Sequence, residues 1–354
     1  MYIPFLKLKK NEIMSMCGLD VDTIKHVIPF FDVPRVRDMT EGDFKKRIEL
    51  AEKDMKRHWA EKKRFYLDTF DVDQDLRPDG VCPCEYAMIA LGQYNPIPVV
   101  GLDRDSDHLD FVRRHLAQAR KKDVAVRLLP DIFESYELVA DELSETLGDI
   151  LAGVDNIDLV LDCRIVNNYD VSAIAQSAAE FASTFCEDYA CRNVIVTGSS
   201  IPPSISDIVQ TNSSVLFDRK EPQLWRVFNQ YFSDESAKSV FGDYAVVSPE
   251  YSDVDLGPEM LSTIASPKAI YTLEDQHFAV RGSRFRTHKD GYAQYYAIAR
   301  QIARQAFFRG ELFSSGDEYI QRRSENVPTP GSPQSWIKNT LNAHVTYIVS
   351  EVCV

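Results

Sequence analysis

The chain has 354 residues, of which 44% are hydrophobic, so it can bury a large core and is not a disordered or low-complexity protein. Its 40 basic and 54 acidic residues give a formal net charge of −14, which disfavours non-specific binding to nucleic acid and adhesion to an anionic membrane. No apolar stretch approaches the roughly 20 residues that span a bilayer, and residues 1–7 do not resemble a signal peptide. We therefore expect a cytoplasmic protein without a membrane partner.

Short apolar runs alternate along the chain with longer amphipathic stretches. In chain order, the predicted barrel strands are 3–6, 27–31, 65–70, 98–102, 124–129, 157–163, 193–197 and 244–247. The predicted helices between and after them are 43–59, 85–93, 107–121, 136–151, 171–185, 223–232 and 291–308. Two further strands are predicted at 269–272 and 277–281, inside an insertion before the last helix.

About eight strand–helix units in one chain, without a Gly/Ser-rich linker, indicate an α/β fold. They favour a closed (β/α)8 TIM-like barrel over an open doubly wound sheet. We expect the barrel to occupy residues 1–309, with the insertion near 248–290. Residues 310–354 then form a C-terminal extension that packs on the barrel.

The functional face of such a barrel is built from the carboxyl ends of its strands. This rule selects Lys7, Lys9 and Glu12 after the first predicted strand, Asp68 in the third and Arg164 after the sixth as candidate catalytic residues. Lys7, Lys9 and Arg164 would bind an anion, while Glu12 or Asp68 would serve as an acid–base group or as a ligand of Mg²⁺. No dedicated cofactor or metal site is identified, and Mg²⁺ stays an option.

Several of these charged residues also have ordinary structural interpretations. Asp68, Asp71 and Asp73 form a DxxDxD cluster that suits either a divalent cation or loop and helix-cap positions. Arg127 lies within an apolar strand, so it is expected either to clamp an anion or to pair with Asp162 or a carboxylate on a neighbouring strand.

A basic segment with interleaved aromatic residues spans 281–323, with nine basic and four acidic residues. It would suit a nucleic acid or an acidic protein partner. The alternative is a final barrel helix whose aromatic residues are core and whose arginines are solvated or paired. Because the whole chain carries a net charge of −14, nucleic acid is the least favoured partner.

The order of motifs along most of the chain resembles that of the beta protein family of bacteriophages, satellite phages and bacterial mobile islands. The resemblance rests on YIPFLKLK at 2–9 followed by Glu12, IPFFDVP at 28–34, VRL at 126–128, FSSGD at 313–317, GSPQSW at 331–336 and NAH at 342–344. Members look like products of phage-defence or phage-exclusion loci, sometimes beside a toxic partner. The resemblance brings no established catalytic residues.

The resemblance implies a candidate functional surface at the motif positions. Beside Lys7, Lys9, Glu12 and Gly316, the positions assigned to binding a ligand or partner are Arg127, Asp317, Trp336, Asn342 and His344. Our first hypothesis is an accessory protein of a phage-defence or toxin–antitoxin-like locus that binds a protein encoded by a neighbouring gene. The alternative is a barrel enzyme that acts on a small phosphorylated or nucleotide ligand.

Overall fold

The computed structural model describes residues 1–59, 64–234, 236–250 and 265–353. Within these ranges, nine strands precede residue 250, and all but β8 form a closed parallel barrel. They are β1 (Tyr2–Lys7), β2 (Phe30–Asp32), β3 (Phe65–Asp68), β4 (Pro96–Val100), β5 (Asp123–Leu128), β6 (Asn156–Ile165), β7 (Cys191–Ser199), β8 (Ser213–Asp218) and β9 (Lys238–Asp243). Because β9 pairs with both β7 and β1, the expected (β/α)8 TIM-like barrel is confirmed.

The barrel strands are buried on both faces, which explains why they are continuous apolar runs rather than alternating ones. The interior is filled by large side chains, and the ring of Phe5 stacks on that of Phe30 with centroids 4.4 Å apart. The inward-facing set is Ile3, Phe5, Phe30, Tyr66, Ile97, Val99, Ala125, Val160, Ile195, Val240 and Tyr244. The barrel is therefore a packed core that supports the groups above it.

Helices cover the outside of the barrel. They are α1 (Lys10–Cys17), α2 (Val21–Lys25), α3 (Glu41–His58), α4 (Pro83–Ala90), α5 (Ser106–Gln118), α6 (Tyr136–Ala152), α7 (Val171–Asp188) and α8 (Glu221–Tyr231). In α5, Leu109, Val112 and Leu116 form a buried apolar stripe, and the side chain of Asp105 caps the first turn. Among the described residues, no helix is both long and apolar enough to cross a membrane.

The position of the last barrel strand differs from the prediction. Residues 244–247 were predicted as a strand, but the strand is β9, which ends at Asp243. The segment KSVFGD has only two adjacent apolar residues, Val240 and Phe241, so its apolar signal is weaker than that of the YAVV segment that follows. Residues 244–247 instead form a turn, and Tyr244 still faces the barrel interior.

A second, smaller sheet is attached to the barrel. It consists of β8, β10 (Lys268–Thr272) and β11 (Gln276–Arg281) in the antiparallel order β10-β11-β8. The strands predicted at 269–272 and 277–281 are confirmed as β10 and β11. Strand β8 was not predicted, and residues 251–264 of the predicted insertion lie outside the described residues.

Three helices follow this sheet: α9 (Gln294–Ala303), α10 (Ser315–Ser324) and α11 (Pro333–Tyr347). Trp336 of α11 stacks on Tyr295 of α9 with ring centroids 4.9 Å apart. The side-chain amide of Asn342 donates to the carbonyl of Ser15 at 3.3 Å, which joins α11 to α1. The C-terminal helices thus contact both the small sheet and the barrel, while the division at residue 309 stays a prediction.

Candidate functional site

Charged side chains converge at the carboxyl end of the barrel, which we call the barrel mouth. Lys7, Asp32 and Asp68 are the last residues of β1, β2 and β3. In the register of the sheet, Lys7 is paired with Asp32, and Asp32 is paired with Asp68. Arg127 and Asp162 lie on β5 and β6, and their side chains also point into the mouth. Because parallel strands end at the same edge, residues from five parts of the chain meet in one layer.

Arg127 is the centre of this layer. Its Nη1 donates to Asp32 at 2.7 Å and to Asp68 at 2.9 Å, and its Nε and Nη2 donate to Asp162 at 3.0 and 2.6 Å. Nη2 also donates to the hydroxyl of Tyr244 at 2.8 Å. The expected ion pair between Arg127 and Asp162 is confirmed, and two more carboxylates share the same guanidinium.

The ion pairs hold these buried groups in their charged forms. Burial would raise the pKa of Asp32, but Arg127 and Lys7 outweigh it and lower that pKa. Burial would likewise lower the pKa of Arg127, but Asp32, Tyr244 and Asp162 raise it well above its ordinary value. Each charge therefore depends on its partners, because an unpaired buried charge would cost several kcal/mol.

Two residues of the mouth were not identified from the sequence. Arg104, in the loop after β4, donates from Nη2 to both carboxylate oxygens of Asp68 at 3.0 and 2.9 Å. The ring of Phe70 lies 4.5 Å from the guanidinium carbon of Arg127, 5.2 Å from that of Arg104 and 5.1 Å from that of Arg164. An aromatic face among three guanidinium groups stabilises their positive charge. No spacing in the sequence marks either residue.

The outer layer of the mouth is formed by Lys7, Asp71 and Arg164. Nζ of Lys7 lies 2.5 Å from Asp71 and 3.4 Å from Asp32, and Nη2 of Arg164 lies 3.7 Å from the other oxygen of Asp71. The side chains of Lys7, Asp71 and Arg164 are 8%, 6% and 17% exposed, whereas that of Arg127 is 1% exposed. The Asp71 carboxylate thus bridges two cations on the solvent side of the cluster.

Glu12 lies beside this outer layer, in the first turn of α1. Its carboxylate accepts the backbone N–H of Lys7, and the side chain is buried. Burial raises the pKa of Glu12 to about 7, although Lys9, the backbone N–H of Lys7 and the Lys7 ammonium oppose the rise. A carboxyl group with a pKa near neutrality can both accept and donate a proton, as general acid–base catalysis requires.

Four of the five candidate catalytic residues therefore meet at the mouth: Lys7, Glu12, Asp68 and Arg164. Lys9 precedes α1, and its exposed side chain lines a groove on the outside of the barrel. Their catalytic roles stay predictions. In the described parts of the chain, no three His, Cys, Asp or Glu side chains are grouped closely enough to hold a metal ion.

A second buried polar network joins the barrel to the small sheet and α11. Asp243, at the end of β9, accepts hydrogen bonds from Tyr2 at 2.5 Å and Arg219 at 2.7 Å, and it lies 3.1 Å from Nε2 of His344. Nδ1 of His344 lies 2.8 Å from the hydroxyl of Thr272. The order Asp–His–Thr is that of a hydrolytic triad. All three side chains are buried, however, so no substrate reaches the Thr272 hydroxyl in this conformation.

The residues assigned to binding a ligand or partner are likewise buried: Arg127, Asp317, Trp336, Asn342 and His344. The Asp317 carboxylate accepts a hydrogen bond from the hydroxyl of Tyr271 at 2.6 Å. The hydroxyl of Ser314 accepts a hydrogen bond from the backbone N–H of Asp317. The Asn342 amide oxygen accepts the backbone N–H of Gly316 at 2.9 Å. These contacts hold α10, α11 and β10 together, and the assignment of these residues to a binding surface stays a prediction.

The basic segment at 281–323 contributes largely to internal packing. The aromatic side chains of Phe285, Tyr295, Phe307 and Phe308 belong to the core beneath the small sheet. The guanidinium of Arg309 lies 4.3 Å from the ring of Tyr271 and 4.4 Å from that of Tyr347. These contacts agree with the interpretation of the aromatic residues as core.

One comparison with known proteins gives a match to the whole of this architecture. The family model described as Beta protein matches residues 2–350, which include the barrel, the small sheet and α11. The chain belongs to the beta protein family. No curated protein and no solved structure gives a significant match. The resemblance stated from the motifs is therefore confirmed, and both polar networks lie within the part of the chain that defines the family.

Proposed function

We propose that this member of the beta protein family is a cytoplasmic accessory protein of a phage-defence or toxin–antitoxin-like locus. It acts by binding a protein partner encoded by a neighbouring gene. Family membership supports the setting, since the motifs resemble proteins of such loci. The observation that carries partner binding is the open edge of the small sheet at β8.

Strand β8 pairs on one side with β11, and within the described residues its other side makes no backbone hydrogen bonds. Its side chains alternate between half-buried and exposed, and Leu216 is 44% exposed opposite the buried Phe278. Unpaired backbone N–H and C=O groups on a sheet edge accept an extended segment of another chain. The partner would thus add a fourth strand, with its apolar side chains beside Leu216.

The test is co-purification with the product of the adjacent gene, using Leu216→Lys to place a charge on the sheet edge. Loss of the partner with an unchanged melting temperature would support the proposal. Leu138→Lys on α6 is the matched control, because Leu138 is 82% exposed and lies away from the small sheet. If Leu216→Lys retains the partner as well as Leu138→Lys does, β8 is not the docking edge.

A second function is favoured by the bridge that Asp71 makes between Lys7 and Arg164. A carboxylate held between two cations at the carboxyl end of a barrel occupies the position that a phosphate would take. Glu12, with its pKa near 7, lies beside Lys7 and would serve as the acid–base group. The chain would then be a barrel enzyme for a phosphorylated or nucleotide ligand, with Mg²⁺ as an optional partner of the phosphate.

A thermal-shift screen against nucleotides, phosphorylated metabolites and Mg²⁺ tests this second function. A ligand that binds only the folded protein raises the melting temperature as its concentration exceeds its dissociation constant. The shift should vanish in Lys7→Ala, and turnover should vanish in Glu12→Gln. Folded Lys7→Ala and Glu12→Gln proteins that keep full activity would contradict it.

A further inference from the structure

A groove on the outside of the barrel, separate from the mouth, has the shape and charge of a small-ligand site. It lies between the β1–α1 loop, Val36 of the β2–α3 connection and one face of α3. Its volume of about 600 Å³ is within the range of about 300 to 1,000 Å³ that small-molecule sites occupy. The α3 residues that line it recur at spacings of three and four, as one helix face requires.

The charged side chains of the groove are mostly basic. Two carboxylates, Asp43 and Asp54, stand among six basic side chains: Lys9, Lys10, Lys46, Arg47, Lys53 and Arg57. Asp43 is already engaged in the capping box of α3, where it accepts hydrogen bonds from the hydroxyl and backbone N–H of Thr40. In a chain of net charge −14, this groove is a local reversal of sign that attracts an anion.

Four of the six basic side chains of the groove have no salt-bridge partner among the described residues. Across the described ranges, Lys10, Lys46, Lys53 and Arg57 form no ion pair with a carboxylate, in contrast to Lys45, which pairs with Asp79 at 2.5 Å. In addition, Nε of Arg47 is buried without a hydrogen-bond acceptor in the described part of the chain. The groove therefore carries positive charge that its own two carboxylates do not fully balance.

The groove also has an apolar part. Leu50 and Val36 line it and are 51% and 48% exposed, and the buried Leu8 and Ala51 lie beneath. Exposed aliphatic side chains provide a surface on which the flat face of a heterocyclic base can pack. Several cations beside an apolar surface therefore match a ligand with phosphates at one end and a base at the other.

We propose that this groove binds a free nucleoside di- or triphosphate. The phosphates contact the basic side chains of α3 and the β1–α1 loop, and the base packs on Leu50 and Val36. Lys9 is the one groove residue that the sequence also placed at the barrel mouth, where Lys7 and Arg164 form the outer layer. The proposal does not depend on the partner edge at β8 or on catalysis at the mouth.

The experiment is isothermal titration of the full chain with ATP and GTP at about 150 mM salt, where exposed charges are already partly screened. The variant is the double substitution Lys46→Glu, Lys53→Glu, which reverses two exposed charges of the groove. The matched control is Lys56→Glu, an exposed lysine of the same helix that does not line the groove. Tripolyphosphate, adenosine and a 5′-phosphorylated oligonucleotide serve as comparison ligands.

The expected result is binding of ATP or GTP that weakens at least tenfold in the double variant and less than twofold in Lys56→Glu. Adenosine and tripolyphosphate should each bind more weakly than ATP, because adenosine lacks the phosphates and tripolyphosphate lacks the base. Absence of binding at millimolar ATP, or equal weakening by Lys56→Glu, would overturn the site. If tripolyphosphate binds as tightly as ATP, the base is not recognised. If the oligonucleotide binds more tightly than ATP, the ligand of the groove is not a free nucleotide.

Discussion

Arg127 donates a hydrogen bond from Nη1 to Oδ1 of Asp32 at 2.7 Å, although the two residues are 95 positions apart in the chain. The bond crosses the barrel mouth from β5 to β2. It joins two strands that are not neighbours in the sheet, so the two residues meet only when β3 and β4 are in place between them. Arg127 therefore links the charge balance of the mouth to the integrity of the fold.

Replacement of Arg127 by alanine is expected to destabilise the protein by about 3 to 5 kcal/mol, since it removes the cation that three buried carboxylates share, although Asp68 keeps Arg104 and Asp32 keeps Lys7. The three carboxylates that lose this partner are Asp32, Asp68 and Asp162. Urea unfolding of the variant and the wild type at pH 7 measures the loss. The loss should shrink at pH 4, because the pKa of Asp32 is no longer lowered by Arg127 in the variant and protonation of Asp32 then relieves its charge. A variant equally destabilised at both pH values would show that packing, not charge, is the cause.

Replacement of Glu12 by glutamine is expected to change the pH dependence of stability. The ordinary pKa of this carboxyl is 4.5 and its pKa in the folded protein is about 7, so the folded state holds the proton more tightly. Stability is therefore lost as the pH rises from about 4.5 to 7, by an amount on the order of 3 kcal/mol. Glutamine stays neutral and still accepts the N–H of Lys7.

The difference in unfolding free energy between Glu12→Gln and the wild type, measured at pH 5 and pH 8, tests this prediction. The free energy of unfolding of the variant should increase relative to that of the wild type as the pH rises. Because other groups titrate in both proteins, their contributions cancel in the difference. A difference that stays constant from pH 5 to pH 8 would mean that Glu12 is ionised throughout.

Replacement of His277 by glutamine is expected to reduce the acid sensitivity of the protein. Burial lowers the pKa of His277 well below its ordinary value of 6.5, and Arg219 and His344 lower it further, while Asp243 opposes them. Below pH 6.5 the unfolded chain binds a proton that the folded chain does not, so the free energy of unfolding decreases as the pH is lowered. Between pH 6.5 and pH 5, the variant should lose about 1 to 2 kcal/mol less than the wild type.

Chemical unfolding at half-unit pH steps gives the two profiles for comparison. His58→Gln is the control, because His58 is exposed at the end of α3. The His277→Gln profile should be flatter than both the wild-type and the control profiles. Three parallel profiles would contradict a neutral buried imidazole at position 277.

Replacement of Gly316 by alanine is expected to destabilise the contact between α10 and α11. A Cβ atom at this position would lie 2.1 Å from the carbonyl oxygen of Asn339 and 2.7 Å from the backbone nitrogen of Ala343. Overpacking against backbone costs about 1 to 3 kcal/mol. Gly92→Ala is the matched control, because no atom lies within 4 Å of its added Cβ. Thermal unfolding should show a lower melting temperature for Gly316→Ala only.

The barrel was predictable because most of its strands are apolar runs, and the lengths and spacing of these runs can be read directly from the sequence. The edge strand β8 was missed because SSVLFD is only half-buried and has few apolar residues, so its apolar signal is weak. The last strand was placed too late because the YAVV turn is more apolar than β9 itself. In both cases the pairing partner, not the local sequence, decides the structure.

The candidate site was predictable only in part. The rule for strand ends found Lys7, Glu12, Asp68 and Arg164, because parallel strands bring their carboxyl ends together. It could not find Arg104 or Phe70, since a loop residue is placed by the path of its loop. The assignment of His344 came from the family resemblance and stays a prediction; its burial depends on the docking of α11, which no local pattern encodes.

The contact between Tyr2 and His344, 3.0 Å apart and 342 positions distant in sequence, also has a consequence for biosynthesis. On the ribosome, β1 is made before the other described strands, but its Tyr2 side chain meets Asp243 only after β9 has been made and His344 only after α11 has been made. Strand β1 can therefore pair with β9, and the barrel can close, only after about two thirds of the 354 residues have been made. Until β9 has been made, the edge of β1 that later pairs with it stays open to pairing with other strands, which is a general hazard for proteins that close a sheet late in synthesis.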